Sequence, residues 1–216
     1  MDANDWNARY DTDELIWTVE ANQFLAPAVE HLEPGTALDL ACGEGRNAVW
    51  LATKGWSVTG VDFAGVGLAK AERLAAGAGV SGTWITADAT DWTPPSEGYD
   101  LVAMFYLQLP ASERQKSVRT AVSALAPDGT LLIVAHHLLN LAEGHGGPQD
   151  PNFLMTPEDV VDDIAAAELG LDVELVVERN ERVDRTVDTA DGPRVAIDML
   201  VRARRIDTEK LVPGAV

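Results

Sequence analysis

The chain of 216 residues holds one cysteine, Cys42, so no disulfide can form within it and a reducing interior is the expected setting. Bases are also scarce: 16 Lys plus Arg stand against 35 Asp plus Glu, a formal net charge of −19. Such a field repels phosphate backbones and anionic membranes over about a Debye length, which sets nucleic acid and lipid aside as main partners. No apolar run approaches the roughly 20 residues that span a bilayer. The opening stretch MDANDWNARYDTDE is acidic and polar, unlike a secretory leader, and a cytoplasmic protein is the expectation. Repeats and low-complexity tracts are missing too. What is left is chain enough for one large domain with a real core.

What is present is an alternation of short apolar runs with helical patterns. Residues 36–40 read as a strand and 46–54 as a helix stopped by Gly55. A strand over 56–62, a helix over 66–76 and a strand over 83–87 follow. After the turn-rich WTPPSEG come a strand at 99–105, a helix at 111–125 and a very apolar strand at 130–135. Strands spaced by helices predict a parallel sheet covered on both faces. Later, Thr156-Pro157-Glu158-Asp159 starts a helix with an N-cap, a first-turn proline and early acids, and Gly170 is its expected stop. Residues 172–189 and 194–204, joined by Ala190-Asp191-Gly192-Pro193, carry a hairpin signal that puts one antiparallel strand into the sheet. Ahead of the first strand, 14–31 reads as an amphipathic helix around Leu15, Val19 and Phe24.

Chemistry concentrates where the first strand meets its helix, in LDLACGEGRN (38–47). Gly43-Glu44-Gly45-Arg46-Asn47-Ala48 fits the G-x-G-x-x-[GA] fingerprint of dinucleotide binders, and Asp62 lies 19 residues beyond Gly43, where a ribose-binding acid belongs. That fingerprint brings a pyrophosphate to the helix N-terminus. Asp39 on the strand and Glu44 inside the turn are poor company for such an anion, and they suit a ligand carrying an ammonium and a sulfonium. The nicotinamide-dependent oxidoreductase is thus the lesser reading.

Three pieces together resemble the class I S-adenosylmethionine-dependent methyltransferases: L-D-L-A-C-G-E-G-R at the first turn, V-T-G-V-D-F at the end of the second strand and I-T-A-D-A at the third. The resemblance implies a Rossmann-like three-layer α/β sandwich whose seven-stranded, mostly parallel sheet has an antiparallel terminal strand. It divides the chain into an N-terminal lid or helix (1–35), the methyltransferase domain (36–206) and a tail (207–216). It implies S-adenosylmethionine as cofactor, with S-adenosylhomocysteine as product. On single residues it implies that Asp39 holds the ammonium and that the backbone of Ala41, Gly43 and Gly45 passes under the methionine moiety. Asp62 then accepts the ribose hydroxyls, Phe63 lies against adenine, and Asp88 with Ala89 reads the adenine edge. Arg46, Asn47 and Phe105 join the cofactor side. Ala41 departs from the glycine usual at the first small position of the turn. Cys42 is read as a small packing residue.

A narrower resemblance, to the small-molecule methyltransferases grouped with tellurite-resistance and thiopurine enzymes, lies in Trp6-Asn7-Ala8-Arg9-Tyr10, in Gly45-Arg46-Asn47 and in the hairpin from Val183 to Arg194. It implies that Arg185 and Arg194 face an anionic acceptor, although Asp184 stands where that group tends to carry histidine. Arg9 would pair with the cofactor's carboxylate, and Trp6, Tyr10 or Trp17 would cover the sulfonium by cation–π attraction. Trp6, Tyr106 and Gln108 join the acceptor pocket; Tyr106, His136 and His137 are the catalytic candidates. The Gly/Pro-rich stretch 140–151 reads as a functional loop. Adjacent histidines on a strand face opposite ways, so at most one of His136 and His137 can join His145, and no metal is expected. The acceptor is expected to be a small molecule with a sulfur, selenium, tellurium, oxygen or nitrogen nucleophile, on a monomer or homodimer. A non-catalytic cofactor-binding protein on the same fold is the alternative.

Overall fold

A computed structural model describes residues 2–207. The chain begins with α1 (Ala3–Tyr10) and α2 (Leu25–Val29), then alternates β1 (Thr36–Leu40), α3 (Arg46–Thr53), β2 (Ser57–Asp62), α4 (Gly65–Gly77), β3 (Thr83–Thr86), β4 (Tyr99–Phe105), α5 (Ala111–Ser123) and β5 (Leu125–His136). A short α6 (Asn140–Glu143) and α7 (Pro157–Leu171) lead into the hairpin of β6 (Leu175–Val187) and β7 (Arg194–Arg205). Apart from Asp207, the expected tail lies outside the described residues.

The seven strands form one sheet in the order β3-β2-β1-β4-β5-β7-β6. Neighbours are parallel except that β7 runs antiparallel to both β5 and β6. This is the expected architecture, and the hairpin signal accounts for its one antiparallel strand. Alternation along the central strands divides the core between two faces. Val102 and Met104 of β4 pack with Val118, Val122, Val160 and Ile164 from α5 and α7. Leu101, Ala103 and Phe105 pack with Leu25, Val29, Ala48 and Leu51 from α2 and α3. Between α5 and α7 the apolar layer is tied by a buried ion pair, Arg114 Nε to Asp163 Oδ2 at 2.6 Å.

Two expectations about helices need correction. The amphipathic pattern over 14–31 yields only α2, and residues 11–24 run as turns and bends. The reason is that this segment's backbone groups are taken by distant side chains: the Ile16 and Trp17 N–H groups by Glu44, the Asn22 N–H by Asn47. Helical i→i−4 bonding is therefore given up. In front of it, the acidic arm forms α1, capped by a reciprocal Asp2–Asp5 box. Finally, α7 starts on Thr156 and Pro157 as expected but runs past Gly170 to Leu171 and stops at Asp172, whose φ of 54° supplies the left-handed turn. Gly170 stays helical, its carbonyl accepting from Arg119 Nη2 at 3.2 Å.

The strand order reverses between β1 and β4. In open α/β sheets ligands settle outside the carboxyl ends of the strands at such a switch point. Two non-glycine residues with left-handed backbone mark it: Ala41 after β1 (φ 62°) and Tyr106 after β4 (φ 55°). A bulky residue at positive φ is held there only by its surroundings, and such strain gathers at functional sites.

Candidate active site

The glycine turn is built on two buried acids. Asp39, 2% exposed, reaches from β1 to the start of α3, where its Oδ2 accepts the Ala48 N–H at 3.1 Å. Burial pushes its pKa up to about 7, against the pull of that hydrogen bond. Its Oδ1 has no hydrogen-bond partner among the described residues. Asp62, at the end of β2, accepts the Gly43 N–H on Oδ2 and the Ala64 N–H on Oδ1, both at 2.8 Å. Burial raises its pKa as well, and the two backbone donors oppose the rise. Asp62 thus shapes the turn; its expected bidentate grip on a ribose falls to the remaining lone pairs. Gly45 (φ 79°) must be bare, since a Cβ there would fall 2.5 Å from the Ala71 Cβ.

Above the turn lies the N-terminal segment. Tyr10 is 4% exposed, and its hydroxyl hangs over Gly43, where an added Cβ would fall 2.7 Å away. Burial raises its pKa. Asn7 Oδ1 accepts the Val66 N–H at the start of α4 (2.9 Å). Glu44 does not face a cationic ligand, as its place in the turn suggested. It is buried against Lys70 Nζ at 3.0 Å and accepts the Ile16 and Trp17 N–H groups. Lys70 completes its bonds on Thr12 Oγ1 (3.0 Å) and the Glu14 carbonyl (2.6 Å). The electrostatic argument against a pyrophosphate therefore rests on Asp39 alone. Arg9 is exposed, its guanidinium 5.0 Å from the Trp6 ring and 5.5 Å from the Trp17 ring. Asn47 and Arg46, read as cofactor residues, hold this segment too, through Asn22 N–H (2.8 Å) and Thr18 Oγ1 (3.2 Å).

A second cluster stands at the carboxyl ends of β4 and β5, beside the N-terminal part of the antiparallel β7. Asp198, 0% exposed and opposite His136 in the β5–β7 register, accepts from Tyr106 Oη at 2.7 Å and Arg185 Nε at 2.8 Å, both on Oδ2. Its Oδ1 lies 3.0 Å from His136 Nδ1. Burial alone would raise the Asp198 pKa; contacts from His136, Arg185 and Tyr106 outweigh it and hold the pKa below the usual range. Tyr106 moves up, first by burial and then by Asp198. The His136 and Tyr106 rings lie 4.8 Å apart, and Asn22 Nδ2 donates to the Tyr106 hydroxyl at 3.3 Å.

Asp198 was not foreseen. The signal was present, because an acid inside the apolar run Ala196-Ile197-Asp198-Met199-Leu200 is the pattern that singled out Asp39. Several expected residues stand outside the cluster. His137 points the other way, as strand alternation requires, and its Nδ1 accepts the Leu139 N–H at 2.9 Å. Gln108 spends both ends of its amide on backbone, donating to the Phe153 carbonyl (2.6 Å) and accepting the His136 N–H (3.3 Å). Arg194 is exposed at the hairpin end of β7, four residues before Asp198. His145 is exposed, and no group of three or more His, Cys, Asp or Glu among the described residues is placed to hold a metal. On the adenine side, Phe63 is half-buried, and Ala89 and Phe105 are buried. Asp88 is exposed and turns one oxygen onto the Thr90 N–H and hydroxyl, each at 2.8 Å. Burial raises the Cys42 thiol well above its ordinary pKa, consistent with packing rather than nucleophilic work.

Residues 37–129, which carry the glycine turn, Asp62 and β4, match the family described as "Methyltransferase domain". That segment is similar to a methyltransferase domain. Over 112 residues, 50% of the chain, the sequence is 30% identical to ribosomal RNA small subunit methyltransferase C of Alcanivorax borkumensis. The match covers 34% of that protein, so the chain spans about a third of its relative's length. A solved structure described as "Conversion of a Disulfide Bond into a Thioacetal Group during Echinomycin Biosynthesis" is similar over 97% of this chain and 96% of its own, with TM-score 0.73 and 22% identity. The N-methyltransferase NodS from Bradyrhizobium japonicum WM9, in complex with S-adenosylhomocysteine, is similar over 94% and 97%, with TM-score 0.67 and 17% identity. At these identities the likeness is one of fold. The site of this chain fits the chemistry of S-adenosylmethionine. Asp39 is a buried acid with one oxygen unpartnered among the described residues, a ligand ammonium there would restore its full charge, and the turn beside it is bare backbone.

Proposed function

We propose that the chain transfers a methyl group from S-adenosylmethionine to a small-molecule acceptor seated at the carboxyl ends of β4 and β5, beside the N-terminal part of β7. The observation that carries this is one residue of the N-terminal segment. Asn22 bonds Asn47 beside the glycine turn through its N–H and Tyr106 of the second cluster through its amide, so the two sites adjoin beneath one lid. When bound, the sulfonium supplies an activated methyl: the acceptor's electron pair forms the new bond to carbon while the carbon–sulfur pair returns to sulfur. The protein supplies alignment and a site closed to water. Asp39 would hold the ammonium, Asp62 the ribose, and Arg9 the carboxylate after leaving its stack on Trp6 and Trp17.

A small acceptor agrees with the lid and with the net charge of −19, which disfavours an RNA substrate. Arg185, stacked 5.5 Å over Tyr106, and Arg46 nearby suit an acceptor with a negative or strongly polar group. Sulfur and chalcogen acceptors of the tellurite-resistance and thiopurine kind stay in the panel beside phenols, alcohols and amines. The test incubates isotope-labelled cofactor with that panel. Turnover of at least one acceptor is expected, with KM raised roughly tenfold or more in Arg185→Met, the loss of one charge-assisted contact. No turnover from protein that binds S-adenosylhomocysteine would favour the non-catalytic alternative.

A further inference from the structure

We infer that Asp198 holds His136 in the tautomer with its proton on Nδ1, leaving Nε2 to take a proton from the methyl acceptor. The acceptor is then a molecule whose attacking atom bears a proton, a hydroxyl or an amine, rather than an anion already formed. This rests on the reading of the site as a methyltransferase centre.

His136 Nδ1 and Asp198 Oδ1 are buried, neither makes a well-formed hydrogen bond, and they lie 3.0 Å apart. Each is the other's available partner, and leaving both unmade is costly in a buried site. A small turn of the ring closes the bond. Asp198 Oδ2 already receives the Tyr106 hydroxyl and Arg185 Nε, so the charge of the carboxylate is balanced by a guanidinium. His136 therefore need not be an imidazolium to neutralise it, and the neutral ring keeps a lone pair on Nε2. That atom has no protein partner among the described residues, and the side chain is 14% exposed.

The rival bases drop out. The Tyr106 phenol spends its proton on Asp198, and burial raises its pKa. His137 faces away with Nδ1 occupied. The groups facing His136 are Asp198 from β7, Tyr106 from the end of β4 and Arg185 from β6. Its ring is held on one side by Tyr106 and approached by Gly147 (φ 75°), where a Cβ would fall 2.9 Å from Cδ2. During transfer the proton passes from the acceptor's O–H or N–H to His136 Nε2, and the resulting imidazolium is stabilised by Asp198 through Nδ1–H. Asp198 is thus a positioning residue and His136 the catalytic one.

The test is nitrogen NMR of the imidazoles in the full-length 15N-labelled protein, with His136 assigned by His136→Gln. The expected result is an Nδ1–H signature for His136 at neutral pH, moving to Nε2–H in Asp198→Asn. An Nε2–H signature in the wild type overturns the inference, and so does an unchanged tautomer in a folded Asp198→Asn. The wild-type spectrum decides the matter even if the variant fails to fold. Adding S-adenosylhomocysteine separates the two readings. If it binds and His136 does not shift, His136 is not at the methyl site and the inference fails. If it does not bind at all, the methyltransferase reading fails while the tautomer remains a fact about the dyad. In the acceptor panel, turnover confined to thiolates and chalcogen anions also overturns the inference. Turnover of a hydroxyl or amine acceptor that loses kcat rather than KM in Asp198→Asn supports it.

Discussion

Lys70→Met is expected to destabilise the protein by about 3–5 kcal/mol, because it strands the buried carboxylate of Glu44 without a counter-charge. Both side chains are nearly sealed, at 4% and 3% exposure, so solvent does not screen the loss. The same change removes the donors that hold Thr12 and the Glu14 carbonyl, and it loosens the strap whose Ile16 and Trp17 N–H groups rest on Glu44. Adding Glu44→Gln to Lys70→Met should recover most of the loss, since glutamine keeps an acceptor for the strap and removes the uncompensated charge. Urea denaturation of the three proteins checks this. A loss below about 1 kcal/mol in the single variant would mean that water reaches Glu44 and that the latch is not closed.

That latch also explains what could be read in advance and what could not. Strands β1 and β4 lie where the apolar runs place them, because residue type and alternation decide a buried parallel strand locally. The hairpin was legible from its turn residues for the same reason. The course of residues 11–24 was not legible, since it is set by side chains 25 to 28 positions away in sequence. An amphipathic pattern around Leu15 and Val19 cannot register that Glu44 and Lys70 will claim its backbone.

The site divides in the same way. Asp39 and Asp62 were legible as acids at strand ends beside a glycine turn, and both are buried there. What each oxygen does was not, because the Asp62 partners are backbone groups of the turn itself. Asp198 carried the same apolar-run signal as Asp39 and went unread, since no glycine turn followed to draw attention to it. His136 and His137 were paired in the sequence, and only strand alternation, with Asp198 on the facing strand, decides between them.

Affinity for S-adenosylhomocysteine should fall about tenfold as pH is lowered from 7 to 5.5. In the ligand-free protein burial pushes the Asp39 pKa up to about 7, so the acid is mostly protonated at the lower pH. A ligand ammonium requires the carboxylate, and binding must expel that proton. Above about pH 7 the dependence levels off. Stability of the free protein moves oppositely: the folded pKa lies above the unfolded value near 4, so stability is gained as pH falls from about 7 towards 4 and lost as it rises. Asp62, also raised by burial, acts in the same direction. Calorimetry across this range in wild type and Asp39→Asn measures both effects. A flat affinity profile in the wild type, with protein folded throughout, would mean that Asp39 does not meet the ammonium.

The most direct measurement is a calorimetric titration of the purified chain with S-adenosylhomocysteine and, separately, NAD, repeated on Asp62→Ala. Micromolar binding of S-adenosylhomocysteine, near −8 kcal/mol, and none of NAD is the expected result. Loss of Asp62 should weaken binding at least about 30-fold, the worth of charge-assisted bonds to the ribose. Binding of NAD, or S-adenosylhomocysteine bound as tightly by Asp62→Ala as by the wild type, would contradict it.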